Sequence, residues 1–328
     1  MAYSQEVIKR ARERLASAKA DRESRYRQDL QQAYEKVPRL REIDILLRKT
    51  MAQAAQAAFT QSGDAKAMME KVKEENLALQ RERQMLIQEN FPAGFLEEGA
   101  VCDKCGGSGY IGSTMCGCLK KLCGEEQKKE LTFLSEGEEC FDAFRLDYYP
   151  DRVDSKLGVN IRMVMERTYQ ACRRYAENFS ERSGNLLFSG DTGLGKTFLS
   201  ACIARTVAEN GHAVVYESAG HLFTCMERAK FNGDEQARRD SEKYTACDLL
   251  IVDDLGTEMP GQFTTAALYT LINDRMLAGK ATIISTNLNT EDLAKRYNPQ
   301  IVSRLRGNFV RLAFLGEDIR LKKGWGQV

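Results

Sequence analysis

A short apolar run of strand character, Asn185, Leu186, Leu187 and Phe188, leads into Gly190, Asp191, Thr192, Gly193, Leu194, Gly195, Lys196 and Thr197, and a helix-compatible stretch follows from Phe198 to Asn210. No other part of the chain restricts the fold as strongly. The spacing G-x4-G-K-T between a strand and a helix lets successive backbone N–H groups turn inward on a phosphate, with the positive end of the helix behind them. Lys196 is expected to reach the β- and γ-phosphates and the Thr197 hydroxyl to ligate magnesium, while Gly190 through Gly195 cradle the phosphates and Phe198 opens the helix. The site predicted is one for ATP or ADP with Mg2+.

After Ser183 and Gly184 the chain alternates short β-rich runs with longer amphipathic ones, the pattern of a parallel α/β sheet. Ala213 to Glu217 is one further strand. Leu249, Leu250, Ile251 and Val252 form another that delivers Asp253 and Asp254 to its C-terminal end, where open α/β sheets bind ligands. Asp253 is therefore expected to serve the magnesium, directly or through water. The strand Ala281 to Ser285 ends at Thr286 and Asn287, an amide placed either to hold a water beside the γ-phosphate or simply to make a turn. Asn298 and Pro299 start a short helix carrying Arg304 and Arg306 and closed by Gly307. Its arginines are either solvated or poised to complete the site of a neighbouring subunit. The last strand spans about Phe309 to Phe314.

The N-terminal part reads differently. From Ser4 to about Asn90, Pro38 and Gly63 are the only proline and glycine, and good helix formers dominate. Pro38 and the turn Gln61, Ser62, Gly63, Asp64 divide this stretch into three helices, the third with Ala65, Val72, Leu79 and Leu86 on one apolar stripe. Residues 1 to 50 hold thirteen Lys/Arg against eight Asp/Glu, which marks either a solvated helical face or a surface for an acidic partner. The whole chain has 48 basic and 47 acidic residues, so net charge neither demands nor excludes nucleic acid. No run approaches the roughly 18 apolar residues of a membrane span, and the charged N-terminus lacks a signal-peptide core, so a cytoplasmic protein without membrane contact is expected.

Five of the ten cysteines fall between Cys102 and Cys123, a clustering that in a cytosolic protein points to metal. Cys102, Cys105, Cys116 and Cys118 supply four thiolates for a closed tetrahedral Zn2+ site. Cys123 is an alternative to Cys118, and reduced buried cysteines are the alternative to metal. His212 and His221 are not expected as ligands. A helix over about Val159 to Phe179 precedes the sheet, and the aromatic run Phe141, Phe144, Tyr148 and Tyr149 reads as a connecting strap.

These motifs together, the glycine loop, the acidic strand LLIVDD, the strand IISTN and the SRL box, resemble an AAA+ ATPase. The surrounding sequences DLLIVDDLGTE, ISTNL and IVSRLRG are similar to bacterial replicative helicase loaders of the DnaC and DnaI type, with the IstB transposition helpers as relatives. The resemblance covers roughly Phe141 to Arg320. It implies a P-loop NTPase fold with a truncated lid, since fourteen residues follow Phe314. It also implies Asn287 as sensor 1, Arg304 as arginine finger with Arg306 as the alternative, and Arg320 as sensor 2. Asp254 replaces the usual glutamate after the magnesium aspartate, which implies slow hydrolysis or recruitment of Glu258. Ser218 to Asp248, with Phe223, Arg228, Lys230, Phe231, Arg238 and Arg239, aligns with a region that touches single-stranded DNA in related loaders, ordinary packing being the alternative for each side chain. The expected organisation is an α-helical partner-binding region (1–95), a four-cysteine zinc knuckle (96–135), a strap (136–157) and an AAA+ domain (158–328). The implied function is an ATP-dependent loader that binds the replicative helicase, assembles as a homo-oligomer with ATP and acts on single-stranded DNA. A transposition helper and a nucleotide-binding scaffold without turnover are the rivals.

Overall fold

A computed structural model describes residues 3–59, 65–96, 99–130, 139–155 and 157–320. The expected turn at 61–64 and the end of the chain beyond Arg320 lie outside them. The chain divides into two compact units, Glu13–Ser113 and Met1–Arg12 together with Thr114–Val328.

Within the helical unit, α1 (Gln5–Lys36) contributes most of its length beside α2 (Pro38–Phe59) and α3 (Ala65–Asn90). Pro38 sits at the first position of α2, where its missing N–H is no loss. Leu40, Ile43, Ala33 and Val72 are buried. One carboxylate ties the three helices together: Asp44 accepts from the Tyr34 hydroxyl at 2.6 Å and from Arg83 Nε at 2.7 Å. Of the expected stripe on α3, Val72 is buried and Leu79 and Leu86 are half-buried, while the side chain of Ala65 lies outside the description. The short strand β1 (Tyr110–Ile111) follows, while β2 (Thr114–Met115) and α4 (Gly117–Glu130) belong to the second unit.

The second unit is built on a five-stranded sheet in which every pairing is parallel. After α5 (Ile161–Glu177), strands and helices alternate as β3 (Asn185–Ser189), α6 (Lys196–Glu209), β4 (Val214–Ser218), α7 (Ala219–Phe231), α8 (Glu235–Ala246), β5 (Leu249–Leu255), α9 (Gln262–Leu277) and β6 (Ala281–Thr286). The chain continues through α10 (Thr290–Arg296) and α11 (Pro299–Asn308) to β7 (Phe309–Ala313). The expected strands are all present, within one to three residues at their ends. Their order is β4-β5-β6-β3-β7. Buried on both faces, β3, β5 and β6 are near-continuous apolar runs, as parallel strands must be.

Two features beyond the sheet fasten its periphery. Helix α4 packs on α6, and Gly124 permits the contact, because a Cβ there would meet the Ala208 carbonyl oxygen. The first residues of α1 also belong to this unit: Tyr3, Val7, Ile8 and Ala11 are buried, and the Tyr3 hydroxyl donates to the Gly211 carbonyl. Among the described residues no helix is long and apolar enough to cross a membrane.

Candidate nucleotide site and cysteine cluster

The loop leaving β3 is held open by glycine. Gly193 has φ +73, and an added Cβ there would collide with the Asp318 carboxylate, so both the backbone angle and the space require glycine. Helix α6 begins directly at Lys196, and its first N–H groups have no partner within the helix, which makes its N-terminus an anion seat. Lys196 is buried, with its ammonium donating to the Gly190 and Asp191 carbonyls at 2.9 and 2.7 Å. Burial pulls its pKa down, against the opposing pull of Asp254, Asp253 and Asp191. Two of its three protons are engaged in the loop, leaving one for a phosphate oxygen.

Strand β6 lies between β3 and β5, so its C-terminal residues Ser285 and Thr286 stand between the glycine loop and the acids of β5. A register shift between Val252 and Leu255 turns the end of β5. Asp253 points into the sheet end and is 6% exposed. Its Oδ2 accepts from Thr197 Oγ1 at 2.9 Å and from the Tyr216 hydroxyl at 2.6 Å, and its Oδ1 accepts from the Ser285 hydroxyl. Burial first, and then the neighbouring Asp253, push the Tyr216 phenol pKa far up, so the phenol keeps its proton and is the donor. Asp254 takes φ +55, the left-handed value that aspartate tolerates better than most residues, and its N–H donates to Ser285 Oγ at 2.9 Å. Its carboxyl pKa is raised by burial and by Asp253, against the pull of Lys196 and Arg320.

This donor set fits magnesium. Thr197 donates its single proton to Asp253 and keeps its lone pairs for a cation, and the neighbouring carboxylate supplies hard oxygen and negative charge. Thr197 and Asp253 would hold the ion, which would supply positive charge to offset that of the phosphates.

Beside the loop is a cavity of about 610 Å³, lined by the glycine loop from Thr192 to Phe198, by Asp254, Ile319 and Arg320, and by the segment around Phe144, Tyr148 and Tyr149. That volume lies in the range of small-ligand sites, roughly 300–1,000 Å³. Its aromatic wall is built by stacking, Phe144 on Tyr169 at 5.0 Å and on Tyr149 at 5.7 Å, and Tyr149 donates its hydroxyl to the Leu194 carbonyl at 3.0 Å. The segment read from sequence as a connecting strap thus forms one side of the cavity. Its concentration of aromatics was the available signal. The Ile319 N–H donates to the Gly193 carbonyl at 2.9 Å, bringing the segment with Arg320 to the same loop.

The remaining expected site residues lie elsewhere. Asn287 follows the end of β6, is exposed and does not line the cavity. Glu258 is buried, and its carboxylate accepts from Gly256 N–H at 2.8 Å and the Tyr297 hydroxyl at 2.5 Å and pairs with Arg296 at 3.3 Å. Arg304 on α11 donates to the Tyr269 hydroxyl at 2.8 Å and to Asn273 at 3.2 Å, with its guanidinium 4.3 Å from the Tyr269 ring centre. Arg306 lines a separate small cleft. Between Ser218 and Asp248, Phe223 is buried, whereas Phe231 is exposed and Lys230 lies 5.4 Å over its ring.

The sulfurs of Cys102, Cys105, Cys116 and Cys118 all lie within 4.8 Å of one another. Gly109 N–H donates to Cys105 Sγ at 3.3 Å, a contact of the kind that steadies a metal-bound sulfur. Cys123 is not in this group. It is fully buried on α4, and burial raises its thiol to about 11. His212 faces Asp248 at 3.9 Å and His221 faces Glu217 at 2.9 Å, both apart from the cysteine group. Four soft thiolates without an open position suit a structural Zn2+.

A parallel sheet with a glycine loop at the tip of one strand and an acid at the tip of the strand next but one, separated by a strand ending in hydroxyl side chains, defines a P-loop ATP-binding module of the AAA+ type. Residues 167–303 match the family described as IstB-like ATP binding protein. The chain is similar to the replicative helicase loader DnaC of Escherichia coli, 24% identical over 149 residues, which are 45% of this chain and 61% of that protein. It is also similar to the putative ATP-binding protein of insertion sequence IS232 from Bacillus thuringiensis, 26% identical over 44% of this chain and 58% of that protein. The match thus spans less than two thirds of either relative. Among solved structures, the crystal structure of the DnaC helicase loader aligns over 53% of this chain and 98% of its own, with 22% identity and a TM-score of 0.44.

Proposed function

We propose that the chain is an ATP-dependent loader that binds a replicative DNA helicase in the cytoplasm and assists its placement on single-stranded DNA. The observation that carries this reading is the assembly of Lys196, Thr197 and Asp253 beside a nucleotide-sized cavity, in a module that matches the IstB-like family and has relatives named as helicase loaders. In this reading the glycine loop, Phe198, Asp253 and Arg320 hold ATP or ADP with Mg2+. Asp254 orients the attacking water, with Asn287 as sensor and Glu258 as the reserve acid. Arg304, already fixed by Tyr269 and Asn273, reaches the site of a neighbouring copy in an ATP-bound homo-oligomer, and hydrolysis is weak or stimulated by the partner. The helical region 1–95 grips the helicase, the zinc-bound cysteine knuckle (96–135) stiffens the grip, and the AAA+ domain (158–328) follows the strap. Nucleotide then acts as an assembly switch.

The test is affinity co-purification of the full chain with the host's replicative helicase, with and without ATP, alongside Lys196→Ala. Helicase recovered in an ATP-dependent manner, and lost with Lys196→Ala, is the expected result. Recovery of a transposase and no helicase selects the second reading, a transposition helper, which the likeness to the insertion-sequence ATP-binding proteins supports. Equal helicase recovery with and without ATP, and by both proteins, points instead to a scaffold without use of turnover.

A further inference from the structure

A carboxylate at the end of a strand turns freely about two side-chain bonds unless its oxygens are held, and a magnesium ligand that must first be oriented binds the ion less well. Three separate elements hold Asp253. Thr197 comes from α6, Tyr216 from β4 and Ser285 from β6. Their hydroxyls are not equivalent. Thr197 belongs to the phosphate loop and has its own business with the cation. Ser285 is fully buried and has one proton, and because it accepts from the Asp254 N–H at 2.9 Å its proton is directed to Asp253. Tyr216 is 6% exposed and its ring belongs to the same core as Ile251 and Ile283. A phenylalanine would fill that core without bringing a hydroxyl to be desolvated, a cost that only a good hydrogen bond offsets. At 2.6 Å from the carboxylate the hydroxyl has such a bond, directed at the single acid that faces Thr197.

We infer that Tyr216 and Ser285 form a clamp of positioning residues that fixes the Asp253 carboxylate in the orientation in which it and Thr197 receive the magnesium of a bound nucleotide. Tyr216 and Thr197 load Oδ2 and Ser285 loads Oδ1, so neither rotation of the carboxylate nor exchange of its oxygens is free. Ser285 also links this acid to the backbone of Asp254, so the metal side and the water side of the site keep one geometry. The inference rests on the nucleotide reading of the site and adds to it two residues to which the sequence motifs assign no role.

The experiment is equilibrium binding of a fluorescent ATP analogue to the full chain while Mg2+ is raised from none added, in the unmodified protein and in Tyr216→Phe, Ser285→Ala and Lys196→Ala. Partners that orient a metal ligand typically change metal affinity by roughly ten- to a hundredfold. Tyr216→Phe is therefore expected to raise the Mg2+ concentration at half-maximal enhancement about tenfold, with magnesium-free binding changed by less than about twofold. Ser285→Ala is expected to move the midpoint the same way and keeps the clamp testable should Tyr216→Phe fail to fold. Titration of Mn2+ followed by its electron paramagnetic resonance signal gives the metal affinity directly. A midpoint in Tyr216→Phe within about twofold of the unmodified protein overturns the clamp, as does an equal loss of binding with and without magnesium. Lys196→Ala separates the two levels. If it binds nucleotide as the unmodified protein does, the site reading itself fails; if it loses binding while Tyr216→Phe keeps its midpoint, only the clamp fails.

Discussion

Asp253 and Asp254 are neighbours in sequence with different surroundings. The first is enclosed by hydroxyl donors, and the second turns through a left-handed backbone angle toward the cavity with its carboxyl pKa raised by burial and by the adjacent acid. Raising the pKa of a carboxylate toward the working pH is how an enzyme obtains a group for proton transfer. If Asp254 accepts a proton from the attacking water, it works only when ionised. Turnover should then fall as pH drops through its folded pKa, which lies above the ordinary aspartate value of 3.8. Asp254→Asn is expected to lower kcat by about a hundredfold or more and to remove that acid limb, without weakening nucleotide binding, since it takes a negative charge away from the phosphates. A pH–rate profile of the two proteins checks this, and an acid limb that survives in Asp254→Asn excludes Asp254 as its source.

The edge strand β4 would leave backbone groups unpaired at the end of the sheet, a liability that folded proteins must cover. Here a side chain from α4 covers it. Gln127 donates Nε2 to the Val214 carbonyl at 2.7 Å and accepts from the Val214 N–H at 3.0 Å, acting as one residue of an absent sixth strand. Both bonds are buried, so Gln127→Leu should leave a donor and an acceptor unpaired and cost about 1–3 kcal/mol of unfolding free energy. Denaturant titration measures it, and a change below about 0.5 kcal/mol, the usual size of a neutral surface substitution, would remove the edge-covering role. The same helix starts immediately after Cys116 and contains Cys118, so its N-terminal end and the cysteine cluster share a backbone.

For the molecule as a whole, that continuity makes metal a stability question. Four thiolates brought within 4.8 Å repel one another unless a cation or protons intervene. Native protein purified without chelator should carry about one equivalent of zinc, and stripping it should lower the melting temperature, because metal that binds only the folded arrangement adds its binding free energy to folding. Elemental analysis with fewer than about half an equivalent per chain would reject a zinc knuckle. Stability lost on stripping should return with added Zn2+ but not with Mg2+, given the softness of sulfur ligands.

The glycine loop, the strand ends bearing Asp253 and Asn287, and the three N-terminal helices were legible in the chain itself, because each is fixed by local backbone conformation or by a periodicity that consecutive residues display. The cysteine spacing was legible too, and the choice of Cys118 over Cys123 in the cluster was not, since only folding turned Cys123 into the core. Nor did the sequence announce that Tyr216 and Ser285, 37 and 32 residues from Asp253, meet its carboxylate, that Gln127 finishes the sheet edge, or that the aromatic strap lines the cavity. Those facts depend on strand order. Once β6 lies between β3 and β5 and β4 flanks β5, side chains far apart in the chain reach one acid, and no window of adjacent residues contains that information.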